Sequence, residues 1–299
     1  MTNALPRARA RKRKSWSLFF LALPLMIFVL LFHYVPLFGW ILSLFEYIPG
    51  TPILENKFVG LKYFKMIFTG PDMGRAMLNT VTFSCIKLVL QVCPLFFAIF
   101  INEITNSRFR KGIQTLTTLP YFISWIIVYS LAFSMFSSEG LLTQALGMKN
   151  SLLTEPDAVY WFQSLLGLWK NLGWDAIIYI AAIAGIPAEL YEAAAVDGAG
   201  RVRCAISITI PELMNTFIVL MLLFVANFIN SGMDQYFAFK NSLVLDNIET
   251  LELYTYRLGL QQNDYSFATA VGIFKSVISV ALLFGTNGLA KKIRGDAIV

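Results

Sequence analysis

The 299-residue chain reads as an all-α protein, a polytopic bundle of about six transmembrane helices. Three observations carry that reading. Hydrophobic residues make up 57% and charged residues 14%, against roughly 45–50% and about 25% in soluble domains. The excess falls in long apolar blocks divided by charge. No segment shows the alternation, about ten residues long, of a membrane barrel strand.

The spans are expected at 16–46, 79–102, 113–136, 158–186, 212–232 and 265–290. Each supplies the roughly 20 residues that cross about 30 Å of hydrocarbon. Lipid offers backbone groups no hydrogen-bond partner, so the spans form helices. The first is longer than a crossing needs and contains Pro36, which predicts a tilt or a kink. It lacks a small-residue cleavage site and more spans follow, so it is expected to stay as an uncleaved helix.

Flanking charge gives the expected organisation. A basic cytoplasmic arm at 1–15 precedes a transmembrane domain at 16–290, and a cytoplasmic tail at 291–299 follows it. Fourteen Lys and Arg fall on the inner segments and seven on the outer ones when both termini are cytoplasmic. Residues 187–211 then form an inner loop. The outer loops are 47–78, with the amphipathic run FVGLKYFKMIF, and 233–264, with NIETLELYTYRLGL.

Several function classes drop out. The net charge of +6 sits in clusters beside spans (Arg7, Arg9, Arg11, Lys12, Arg13 and Lys14; Lys291, Lys292 and Arg294), which orient a membrane protein; no nucleic acid is expected as a partner. Cys85, Cys93 and Cys204 contain no CxxC pair, so neither disulfide nor metal is expected. The single histidine, His33, excludes HExxH and multi-histidine metal sites. There is no Gly-Lys pair and hence no Walker A loop, and no GxSxG elbow. No catalytic residue, cofactor or metal is expected; the lipid bilayer is the first partner.

The inner loop is the most structured-looking connector. In PAELYEAAAVDGAG, Pro187 and the first acids suit a helix start, and Gly198 and Gly200 a helix end. Arg201–Ile210 reads as a second short helix, with Pro211 opening the next span. Ala193, Ala194 and Ala195 leave one side narrow and smooth. The plain alternative is an ordinary amphipathic connector.

The spacing Glu192-Ala193-Ala194, Gly198, then Ile208-Thr209-Ile210-Pro211 resembles the EAA loop of ABC-importer permeases, EAA-x3-G-x9-I-x-L-P. Ile210 replaces the usual leucine. NTVTFSCIKLVLQVCPLFFAIFINE, TLPYFISWIIVYSLAFSMF, LYTYRLGL and YSFATAVGIFKSVISVALLFGTNGLAKKI are similar to the maltose-type carbohydrate permeases, and among them to the complex-oligosaccharide group. The resemblance implies a type I permease fold in the bacterial plasma membrane. It also implies a second, different permease subunit, two ATP-binding cassette subunits that carry the ATPase, and an extracytoplasmic solute-binding lipoprotein. ATPase coupling is then expected from Glu192, Ala193, Ala194, Asp197, Gly198, Arg201 and Pro211.

Polar residues in spans face a bundle interior or a cavity. Asn227, Asn230, Ser231 and Asp234 are spaced to share one helical face; so are Asn171 and Asp175, with Trp174 beside them and Tyr179 one turn on. Amides, hydroxyls and flat rings suit an oligosaccharide, and the resemblance implies ligand contacts from the corresponding fifth-span stretch. Helix–helix glue is the alternative. Lys87, Lys170 and Lys275 sit at similar depth and predict a cationic cavity for an acidic, uronate-containing sugar. The alternatives are snorkelling to water and, for Lys170, a pair with Asp175. A permease for another polar ligand, such as a glycerophospho compound, and an ion-coupled secondary transporter are the competing functions.

Overall fold

A computed structural model describes residues 10–148 and 150–294. Most of the basic arm, Lys149 and the end of the tail therefore lie outside the described residues. The described residues are mostly helical and include no strand, with one β-bridge joining Phe45 to Phe58. Five helices are long and apolar enough to cross a membrane, and a bent pair makes a sixth.

The first span is α1 (Ala10–Val29), a π turn (Leu30–Tyr34) and a 3-10 stretch (Val35–Leu44). The wide turn stands just before Pro36. Proline has no N–H to give, and its ring crowds the carbonyl one turn back, so a wider turn relieves the clash. The predicted distortion at Pro36 takes this form. No residue from 19 to 42 is buried, and the 3-10 stretch packs on the last helix.

The second span begins earlier than the hydropathy suggests. Here α2 (Lys62–Thr69) buries Tyr63 and Ile67, i and i+4 on one face, and leads into α3 (Pro71–Leu90) and α4 (Val92–Asn102). The third span is not one helix over 113–136. It is α5 (Ser107–Thr118), a 3-10 turn (Leu119–Phe122) and α6 (Trp125–Phe136), followed by the short α7 (Leu141–Ala145). Pro120 cannot continue the α5 ladder. Ser124 restarts it, its hydroxyl accepting the Ile127 N–H.

The fourth span, α8 (Val159–Ala184), is central and touches α3, α4, α5 and the fifth span. It turns through 69° into α9 (Ala188–Val196). The fifth span corrects two expectations. Pro211 does not open it, because α10 (Arg201–Cys204), a π turn (Ala205–Thr209) and α11 (Ile210–Ala226) run on as one helical stretch. The π turn again precedes the proline. Nor does the helix reach 232, since α11 ends at Ala226 with Asn227 as its C-cap.

The segment expected as an outer loop at 233–264 is largely interior. It contains α12 (Met233–Phe239), α13 (Leu245–Ile248), α14 (Leu251–Tyr256) and a π turn (Arg257–Gln261), and then turns at Asn263 into α15 (Tyr265–Arg294). Leu251, Tyr254 and Leu258 form an apolar stripe at i, i+3 and i+7. They pack with Phe267, Ala270, Val271, Met73 and Ala76. Gly259 meets Ala268, which sets α14 and its π turn antiparallel to α15.

Polar contacts hold this re-entrant piece. The Asn79 amide on α3 donates to the carbonyls of Asp246 and Glu249 and accepts from the Tyr160 hydroxyl. Glu249 is 1% exposed and takes a two-point hydrogen bond from Arg257, at 2.6 and 2.9 Å.

Candidate functional site

The first candidate surface is α9 and its flanks. Alanines and a first-turn acid favour the helix, and Gly198 ends it at φ +72°. The Gly198 N–H reaches the Ala195 carbonyl at 3.1 Å and the Ala199 N–H the Ala194 carbonyl at 2.9 Å. That paired closure needs a left-handed residue, which glycine adopts without strain. No residue of α9 is buried. Glu192, Ala193, Asp197, Gly198, Arg201 and Pro211 are exposed and Ala194 half-buried. Val196 and Val202 show 89% and 73% of their surface. Among the described residues none of these charges pairs within the chain. The surface is closed at its C-terminal end by the glycine turn, charged, and apolar between. The Tyr191 and Thr209 hydroxyls, 2.9 Å apart, tie it to the base of the fifth span.

The second candidate region is two cavities. The smaller, about 280 Å³, is lined by Lys87, Gln91, Ser164, Asn171, Asp175 and Gln235 among others. It brings together three residues expected from sequence, Lys87, Asn171 and Asp175. The larger, about 740 Å³, is lined by Asn230, Glu252, Thr255, Tyr256, Lys275 and Ser276 among others. It unites Asn230 with Lys275.

The fifth-span stripe is not a helical face, since the chain leaves the helix at Asn227 and passes Gly232 at φ +80°. Irregular backbone inside a bundle has to be enclosed by protein or line a water-filled space. Here the Ser231 carbonyl accepts from Lys87 at 3.1 Å, while the Ser231 hydroxyl is buried without a partner. The Asn227 and Asn230 amides bond each other at 3.3 Å, and Asp234 is exposed on α12.

Other expected residues do different work. Trp174 faces the broken third span and stacks on Tyr121 at 4.3 Å and 3°. Tyr179 is 1% exposed and packs with Leu95, Ala98 and Leu213 in the inner core. Lys170 lines neither of these cavities and does not pair with Asp175. Its ammonium donates to the Pro120 and Tyr121 carbonyls at 3.0 and 2.6 Å, at the break in the third span.

Sequence reasoning missed Glu252, whose carboxylate pairs with the Lys275 ammonium. An intramembrane lysine calls for a partner, and that was the available signal. It also missed Gln235, whose amide binds the Gln163 carbonyl at 2.7 Å against the close approach of Gly167.

Similarity to known proteins follows this geometry. Residues 91–295 match the family described as binding-protein-dependent transport system inner membrane component. Protein LplB of Bacillus subtilis (strain 168) is 36% identical, covering 95% of this chain and 91% of its own. From the same organism, the polygalacturonan/rhamnogalacturonan transport system permease protein YteP is 36% identical, covering 94% and 89%. A chain of a bacterial alginate ABC transporter, solved in complex with alginate pentasaccharide-bound periplasmic protein, superposes with a TM-score of 0.86 at 30% identity. That superposition covers 96% of this chain and 98% of the other.

Proposed function

The chain belongs to the binding-protein-dependent transport inner membrane components, and from that premise we propose that it is an oligosaccharide permease of an ABC importer whose cargo is acidic, built from uronates. The observation that carries the reading is the full-length match, in fold and sequence, to a permease chain of an alginate importer. The polygalacturonan and rhamnogalacturonan named for YteP support the same charge class. Lys87 and Lys275, each lining a cavity, are the cations available to it.

In this reading the protein is a transport subunit and hydrolyses nothing. Two ATP-binding cassette subunits drive the importer, and one of them seats its groove on α9, with Glu192 toward a basic group and Ala193 and Ala194 against the groove wall. A second permease subunit completes the pathway, and a solute-binding lipoprotein delivers sugar from outside. Both termini are cytoplasmic. The 69° turn between α8 and α9, and the unbroken helical run from Arg201 to Ala226, make the loop continuous with two spans. A displaced groove therefore rocks α8 and α11 together, which exchanges outward for inward access. Asn171 and Asn230 offer hydrogen bonds to sugar hydroxyls from the two cavity walls.

The test is uptake of galacturonate or mannuronate oligomers by the assembled importer, with and without ATP. Glu192→Lys should insert normally and lose uptake together with binding-protein-stimulated ATP hydrolysis. Full uptake in that variant, or uptake without any ATPase subunit, overturns the assignment.

A further inference from the structure

We infer that Glu252 is an internal counter-ion that occupies Lys275 until the carboxylate of an acidic sugar takes its place, so that it sets the selectivity for charge. The inference rests on the uronate reading above and names the residue that would enforce it.

The two side chains come from antiparallel helices. Gly259 meets Ala268, and seven residues further from the turn on each arm Glu252 meets Lys275. By helical rise the pair lies about 15 Å from the turn at 262–264. It is neither sealed nor free, with side chains 21% and 20% exposed. Both open on the larger cavity beside Asn230, Thr255, Tyr256 and Ser276. A ligand therefore reaches the pair without the bundle opening.

The neighbouring acids are already engaged. Glu249 is bound by Arg257, and Asp72 and Asp246 by Arg75. Among the described residues, Glu252 is the acid lining the larger cavity, and Asp175 lines the smaller one. The Lys87 ammonium lies over the Tyr236 ring at 5.2 Å. Lys87 has one hydrogen bond, to the Ser231 carbonyl.

An ammonium at this depth is costly without an anion, and Glu252 provides one in the empty permease. A uronate carboxylate offers Lys275 the same charge, so it can replace Glu252 without leaving a cation bare. The displaced Glu252 turns into the larger cavity, on which it already opens. A neutral sugar has nothing to exchange and leaves the pair shut. Selectivity comes from that competition: discrimination is a difference between two affinities, and Glu252 opposes both ligands while only the anion can displace it.

The experiment uses the whole importer in vesicles with one binding protein throughout, and compares trigalacturonate with its methyl ester, which keeps the shape and loses the charge. The wild type should prefer the free acid. Glu252→Gln removes the barrier to the ester and should lower the acid-to-ester uptake ratio about threefold, and Lys275→Gln should lower it about tenfold. The double variant Glu252→Gln/Lys275→Gln, which leaves no charge unpaired, should lose the preference. If Glu252→Gln imports the ester yet keeps the wild-type ratio, the exchange role is wrong while the uronate reading stands. If Glu252→Gln does not accumulate, the double variant decides: a retained preference overturns the role and a lost one supports it. A wild type that imports acid and ester alike ends the uronate reading and this inference with it.

Discussion

The Tyr191 hydroxyl lies 2.9 Å from the Thr209 hydroxyl, joining the exposed α9 to the π turn beneath the fifth span. Thr209 is 3% exposed, so α9, otherwise unburied, is anchored to the interior through one side chain. A load applied to α9 has this direct route into α11 besides the backbone.

Tyr191→Phe should therefore weaken transmission and leave the fold intact. One hydrogen bond contributes about 1 kcal/mol, or roughly fivefold. Uptake should fall about two- to fivefold, with membrane content unchanged, and Thr209→Val should match it. Uptake at the wild-type rate in both variants would show the link to be idle.

Gly198→Ala places a Cβ on a left-handed residue, costing about 1–2 kcal/mol. The strain should fray the end of α9 and reduce the ATPase retained per permease on co-purification. Gly198→Asn should retain more, since asparagine tolerates that conformation better. Equal retention in the two variants would mean that the turn does not shape the docking surface.

The seam between α8 and the broken third span should be sensitive to small changes. Lys170→Met leaves the Tyr121 carbonyl without its donor, at about 1–3 kcal/mol. The Pro120 carbonyl still receives the Ile123 N–H, which limits the loss. Gly173→Ala drives a methyl into the Thr117 backbone and should cost about as much by overpacking, roughly 1–3 kcal/mol. Thermal unfolding in detergent reads both; an unchanged midpoint in either would remove the seam as a fixed contact.

Arg257→Gln strands Glu249, which is almost fully buried, and should cost about 3–5 kcal/mol. The double variant Glu249→Gln/Arg257→Gln should recover most of it, because two amides can still bond each other. Accumulation in the membrane and thermal midpoint report the difference. No recovery would mean that the buried charge itself, rather than its pairing, holds the re-entrant piece.

The spans were legible because hydropathy is additive over about 20 residues and tolerates local irregularity. The same averaging hid the breaks at Pro120–Ser124 and Asn227–Gly232. A few non-helical residues barely change a window mean, yet they decide which side chains share a face. The helix α9 and its end at Gly198 were legible because proline, acids, alanines and glycine fall there in helix-start and helix-end order. Residues 233–264 were misread because Glu249, Glu252 and Arg257 look solvated in a sequence. Glu249 and Arg257 pair with each other, and Glu252 with Lys275 across a hairpin that no local pattern announces. Lys170 was expected at a cavity or beside Asp175, but its partners are carbonyls at a break that hydropathy does not see.

The first span has a practical consequence for anyone handling this protein. From Phe19 to Tyr34 none of its residues is buried within the chain. Its order is borrowed from whatever surrounds it. A thin micelle is a poor substitute for acyl chains, so solubilised samples should be clipped by protease within residues 19–34 well before the remaining bundle yields. Nanodiscs should abolish that early cut.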